Sequence, residues 1–150
     1  MKLRSLNNDG TTLEFYIPDY SSKLEIPFFD VGISAGFPSP ADDFIELTID
    51  LNKEFVKNRD STFFAKVKGH SMKDVGINDG DLLIIDKSLE PQNNKIAVCQ
   101  VDGKFTVKRI KIEKDTVWLI AENDDYAPIK VTSENELLIW GIVIHSIKSF

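Results

Sequence analysis

The chain has 150 residues, with 18 Lys+Arg against 24 Asp+Glu, a net charge of -6 and a pI near 4.9. At 42% apolar and 28% charged it is composed like an ordinary globular protein of one domain with a short appendage, and the acidic balance argues against a main task of neutralising nucleic-acid phosphates. Its longest apolar run, Leu137 to Ile144, is eight residues, short of the roughly 20 a spanning helix needs; with no signal-peptide stretch in MKLRSLNNDG and a lone Cys99, a cytoplasmic protein is expected.

Residues 1 to about 40 hold four of the six prolines, three basic and five acidic residues, and no sustained helical period. LEFYIP and KLEIPFF read as short extended pieces. The segment reads as an arm, because it is too short to enclose a core of its own. Residues 41–60 carry the helix candidates. Ser39-Pro40 has the form of a helix start, and Asp50 is placed to cap a short helix with Leu51 and Phe55 on one face.

From Phe63 onward the pattern is strand. Candidates are 63–69, 81–87, 95–102, 104–113, 116–122 and 137–148, rich in Val, Ile, Phe and Trp. Asn78-Asp79-Gly80, Asp102-Gly103 and Glu122-Asn123-Asp124-Asp125 are the turn signals between them. Such short connections leave no room for crossover helices. The expected fold is therefore mainly β, a coiled, partly closed antiparallel barrel with one or two short helices.

Metal chemistry has little support, since His70 and His145 stand far apart and Cys99 has no cysteine partner. No glycine loop suited to phosphate occurs. Neither metal nor cofactor is expected. Gly69-His70-Ser71-Met72 closes a strand before a turn-rich segment. Ser71 reads either as a turn-capping serine or as a hydroxyl projecting from a rigid sheet end. His70 is badly placed to take its proton, because neighbours in extended chain point to opposite sides.

Lys108 shares a strand face with Thr106 and Ile110, opposite Phe105, Val107 and Arg109. It reads either as a solvated lysine or as one against an apolar wall. In water only about one lysine in two thousand is unprotonated at neutral pH. Burial disfavours the charged form and can make lysine a usable base, and a serine beside it an activated nucleophile. Cys99, Trp118 and Trp140 read as core residues.

GHSMKDVGINDGDLLIID, followed by VDGKFTVKRI, closely resembles UmuD and the self-cleaving domain of LexA-type repressors. The resemblance extends from Ala35-Gly36-Phe37-Pro38-Ser39-Pro40-Ala41 to Trp140-Gly141-Ile142-Val143-Ile144-His145, and so spans residues 34 to 148. It implies a Ser–Lys dyad, with Ser71 as nucleophile and Lys108 as general base and acid. It implies self-cleavage between Ala35 and Gly36, with an oxyanion held by the backbone N–H groups of His70 and Ser71. The chain then divides into an arm, 1–35, and a peptidase and dimerisation domain, 36–150. Two departures stand out: His70 replaces an often acidic residue, and Ala35 takes the place of a Cys, as it does in LexA-type repressors.

The arm is longer than that of UmuD but too short for a helix-turn-helix domain. This points to the polymerase-accessory branch, with no sequence-specific DNA binding. The resemblance further implies a homodimer, activation by a RecA filament on single-stranded DNA, and assembly of residues 36–150 with an error-prone polymerase of the UmuC type. Leu137 to Ile147 is then either core or dimer interface. Three alternatives stand beside this: an inactive binding module of the same fold, a LexA-like regulator lacking a DNA-binding domain, and a peptidase acting on other chains as signal peptidases do.

Overall fold

A computed structural model describes residues 2–6, 12–21, 26–29, 35–36 and 46–150. The chain divides into two units, Met1–Pro18 with Asn58–Phe150, and Asp19–Lys57. Within the second unit, β3 (Ile26–Phe29) pairs antiparallel with β4 (Glu46–Ile49). Helix α1 (Leu51–Phe55) follows, with the Asp50 carboxylate accepting from the Asn52 N–H at 3.0 Å. That is the cap expected from Asp50. The helix start read at Ser39-Pro40 lies outside the described residues.

The first unit carries, among the described residues, a nine-stranded antiparallel sheet. Its strands are β1 (Lys2–Leu6), β2 (Thr12–Tyr16), β5 (Thr62–Lys68), β6 (Leu82–Asp86), β7 (Ile96–Val101), β8 (Lys104–Glu113), β9 (Thr116–Ile120), β10 (Ile129–Val131) and β11 (Leu137–Ile147). The spatial order is β1-β2-β5-β6-β11-β7-β8-β9-β10. The six strands expected after residue 62 all form. The short β10 is an addition, and so is the pairing of β1 and β2 into the main sheet through β5.

The sheet curls into an open half-barrel. Phe15 on β2 and Phe105 on β8 are not sheet neighbours, yet their rings lie 5.2 Å apart, and Trp140 on β11 packs against both. Asp102 and Gly103 both take positive φ, 48° and 82°. This is the backbone a two-residue hairpin needs between β7 and β8, and it pairs Val101 with Lys104.

Alternation along the strands sends side chains to two clusters. One gathers Leu13, Phe15, Ala65, Val67, Leu83, Ile85, Val98 and Val107, with Met72 and Ile77 from the loop after β5. The other gathers Ala97, Cys99, Ile110, Leu119 and Ile142. A fully buried Leu or Ile in either contributes about 1.5–3 kcal/mol. Strand β11 serves both clusters because its register shifts between Ile139 and Gly141 against β7, and between Val143 and His145 against β6. The first half of β11, Leu137 to Ile142, pairs with β7, and the second half, Ile142 to Ile147, pairs with β6. Its exposed side chains include Leu138 and Ile147.

Candidate active site

Strand β5 ends at Lys68, and the chain turns at Gly69, whose φ of 108° favours glycine. The loop from 69 to 80 is closed at its base. Val67 N–H donates to the Asp81 carbonyl at 2.9 Å, Gly80 N–H to the Val67 carbonyl at 2.7 Å, and Gly69 N–H to the Asp79 carboxylate at 2.9 Å. Met72 and Ile77, 2% and 4% exposed, anchor the loop in the first cluster. Ser71 lies between the Gly69 turn and the Met72 anchor and is itself buried. His70 points the other way in effect: it is exposed where Ser71 is buried.

Lys108 lies mid-strand on β8, beside Ala97 of β7, while Thr106 lies beside Cys99. Their neighbours on that face belong to the second apolar cluster. Of the two sequence readings, the apolar wall is the one found, because Lys108 is 1% exposed. Burial pushes the Cys99 thiol up to about 12, offset in part by the Lys108 charge. Cys99 is thus a core residue and an inert one.

Ser71 and Lys108 meet across 37 positions of sequence. The Lys108 Nζ stands 3.4 Å from the Ser71 Oγ, 2.6 Å from the Thr106 Oγ1 and 3.1 Å from the Val107 carbonyl oxygen. All three oxygens lie within hydrogen-bonding reach of the Lys108 amine, and the Thr106 hydroxyl is the nearest.

Thr106 therefore orients the amine. Sequence reasoning placed it on the Lys108 face but gave it no task; the signal was the two-residue spacing. Thr106→Val keeps the shape and removes the acceptor. It is expected to slow any reaction that uses the Lys108 lone pair by about tenfold, less than the 10²–10⁴ that a general base itself contributes, because the base is kept and only its orientation is loosened. A rate equal to that of the parent, measured by fragment formation, would remove Thr106 from this role.

The loop also rests on residues 122–125. Asp74 N–H donates to the Glu122 carbonyl at 2.8 Å, Glu122 N–H to the Met72 Sδ at 3.4 Å, and the Asn123 side chain to the His70 carbonyl at 2.8 Å. The Glu122 carboxylate pairs with Arg109, next to Lys108 in sequence. Among the described residues no group of three or more His, Cys, Asp or Glu side chains is placed to hold a metal ion, and no helix is long and apolar enough to cross a membrane. Ala35 and Gly36 are exposed and belong to the second unit.

A family model described as Peptidase S24-like matches residues 27–144. Protein MucA of Salmonella typhimurium is 38% identical over 123 residues, 81% of this chain and 84% of the relative. Protein SamA of Salmonella typhimurium strain LT2 is 38% identical over 126 residues, 82% and 87% of the two chains. A LexA repressor of Ectopseudomonas mendocina is 37% identical over 145 residues, 87% of this chain and 71% of the relative.

Proposed function

The chain belongs to the Peptidase S24-like family, and from that premise we propose that it is an SOS-mutagenesis protein that cuts its own backbone between Ala35 and Gly36. The observation that carries this reading is the buried contact of 3.4 Å between the Lys108 Nζ and the Ser71 Oγ. A hydroxyl and an amine at that distance, in a site closed to bulk water, have the makings of a nucleophile and its base.

The steps follow from the groups present. Neutral Lys108 takes the hydroxyl proton of Ser71 as Oγ bonds to the Ala35 carbonyl carbon. The carbonyl oxygen becomes an oxyanion, received by the N–H groups of Ser71 and His70; each such donor is worth about 3 kcal/mol. Collapse breaks the bond to the Gly36 nitrogen, and Lys108 passes its proton to that departing amine. Water, deprotonated in turn by Lys108, then hydrolyses the ester and frees Ser71. Small residues on both sides of the bond let the backbone approach the serine closely.

A tethered substrate has a high effective concentration, so a weak site processes its own arm without being a general protease. An activator that favours the docked arm raises the rate by population shift. The motif resemblance to UmuD supports a RecA filament on single-stranded DNA in that role. It also supports a homodimer of the product, 36–150, working in the bacterial cytoplasm as a subunit of an error-prone polymerase.

The test is the intact mass of purified protein held at about pH 7 and about pH 10, with and without RecA filament. A base enters the reaction without its proton, so the fragment that begins at Gly36 should accumulate faster at the higher pH. Dilution should leave the first-order rate unchanged down to the dimer dissociation constant. A rate that falls in proportion to concentration would indicate a peptidase acting on other chains. A chain that stays whole in all conditions would leave only a binding module of this fold.

A further inference from the structure

Asn123 stands outside the dyad, yet it is 5% exposed and both ends of its amide are engaged. Its Nδ2 donates to the His70 carbonyl at 2.8 Å, and its Oδ1 accepts from the Asp125 N–H at 3.0 Å. The opposite amide orientation would set acceptor against acceptor at His70 and donor against donor at Asp125, so the partners define it. The Lys73 N–H also donates to the His70 carbonyl, at 3.2 Å.

Two donors thus hold the carbonyl of the peptide that joins His70 to Ser71. In a trans peptide the carbonyl and the following N–H point in opposite directions, and the described residues contain no cis peptide. Fixing the His70 carbonyl on one side therefore aims the Ser71 N–H to the other. Without Asn123, the carbonyl keeps the longer Lys73 bond. The peptide is then freer to rotate, and a rotated peptide presents a carbonyl dipole where an oxyanion needs a donor.

We propose that Asn123 is a positioning residue for self-cleavage, holding the His70–Ser71 peptide so that the Ser71 N–H receives the oxyanion. The proposal rests on the Ser71–Lys108 reading above. It has a distinguishing signature, because the task falls on transition-state charge and not on the base. Removing Asn123 lowers the height of the pH–rate profile and leaves its midpoint in place.

The experiment measures self-cleavage of the full chain by intact mass from about pH 6 to about pH 10, for the parent, Asn123→Ala, Asn123→Asp and Ser71→Ala. Asn123→Asp keeps the side-chain shape and turns the donor into an acceptor, so it decides the matter if Asn123→Ala fails to fold. The expected result is a maximal rate at least about tenfold lower in the Asn123 variants, short of the 10²–10³ that loss of an oxyanion donor itself costs. The midpoint of the profile should match that of the parent in Asn123→Ala, while the new carboxylate of Asn123→Asp raises it. A midpoint that moves in Asn123→Ala, or that falls in Asn123→Asp, would mean that the loop has loosened around Lys108, and would overturn the proposal in favour of a purely structural role. An unchanged rate would overturn it too. Cleavage that persists in Ser71→Ala would instead remove the dyad reading on which the proposal stands.

Discussion

Ser71→Ala and Lys108→Met are each expected to leave the chain whole under conditions that convert the parent to a fragment beginning at Gly36. Loss of a nucleophile or its base costs about 10⁴-fold or more where the two act as a unit, which in a slow self-cleavage reads as no product. The stability effect of Lys108→Met is the sharper part. Lys108 is fully buried, on the face shared by Ala97, Cys99 and Ile110. Keeping an amine there costs desolvation. Methionine fills similar volume without that cost. The variant should melt no lower than the parent, with a gain of up to about 2 kcal/mol. Lost cleavage with retained or raised stability marks a residue kept for chemistry. A Lys108→Met protein that is several degrees less stable would point to a structural lysine, even with cleavage gone.

The face of Lys108 was legible in the sequence, because strand alternation groups it with Thr106 and Ile110. Its burial was not. The wall against it comes from β7 and β11, and a single strand does not announce what another strand lays upon it. The same holds for residues 12–16. Leu13 and Phe15 alternate with Glu14 and Tyr16 as a half-buried strand should, and both are core residues. Their partner β5 lies about fifty positions away, so reading along the chain found only an arm. Asn123 was read as a turn residue, and its Oδ1 does bond the Asp125 N–H as turn asparagines do. Its other end reaches His70, and no local pattern encodes that contact. The order of motifs around Ser71 and Lys108 carried the family, whereas the groups that orient them emerged only from the folded chain.

Gly141→Ala is expected to be the most destabilising single-methyl addition on β11. Strict alternation would send Leu137, Ile139 and Gly141 to one face. The register shift between Ile139 and Gly141 instead puts Gly141 on the face of Trp140, toward the first cluster, and turns Ile142 toward the second. This is why Leu137 to Ile144 reads as an unbroken apolar run. A methyl at Gly141 would stand 2.5 Å from the Ile85 Cγ2 and 3.4 Å from the Lys87 Cγ. Ile85 has no exposed surface and a stiff, branched side chain, so it has nowhere to go. Overpacking of this kind costs about 1–3 kcal/mol. The cause is separable from glycine's backbone freedom by a double-mutant cycle with Ile85→Ala, which alone costs about 2–5 kcal/mol. If the clash is the cause, the space vacated by Ile85 accepts the new methyl. The pair then costs less than the sum of the single changes by at least about 1 kcal/mol. Strictly additive losses in denaturant unfolding would place the cost in the backbone of the bulge and leave Ile85 a bystander.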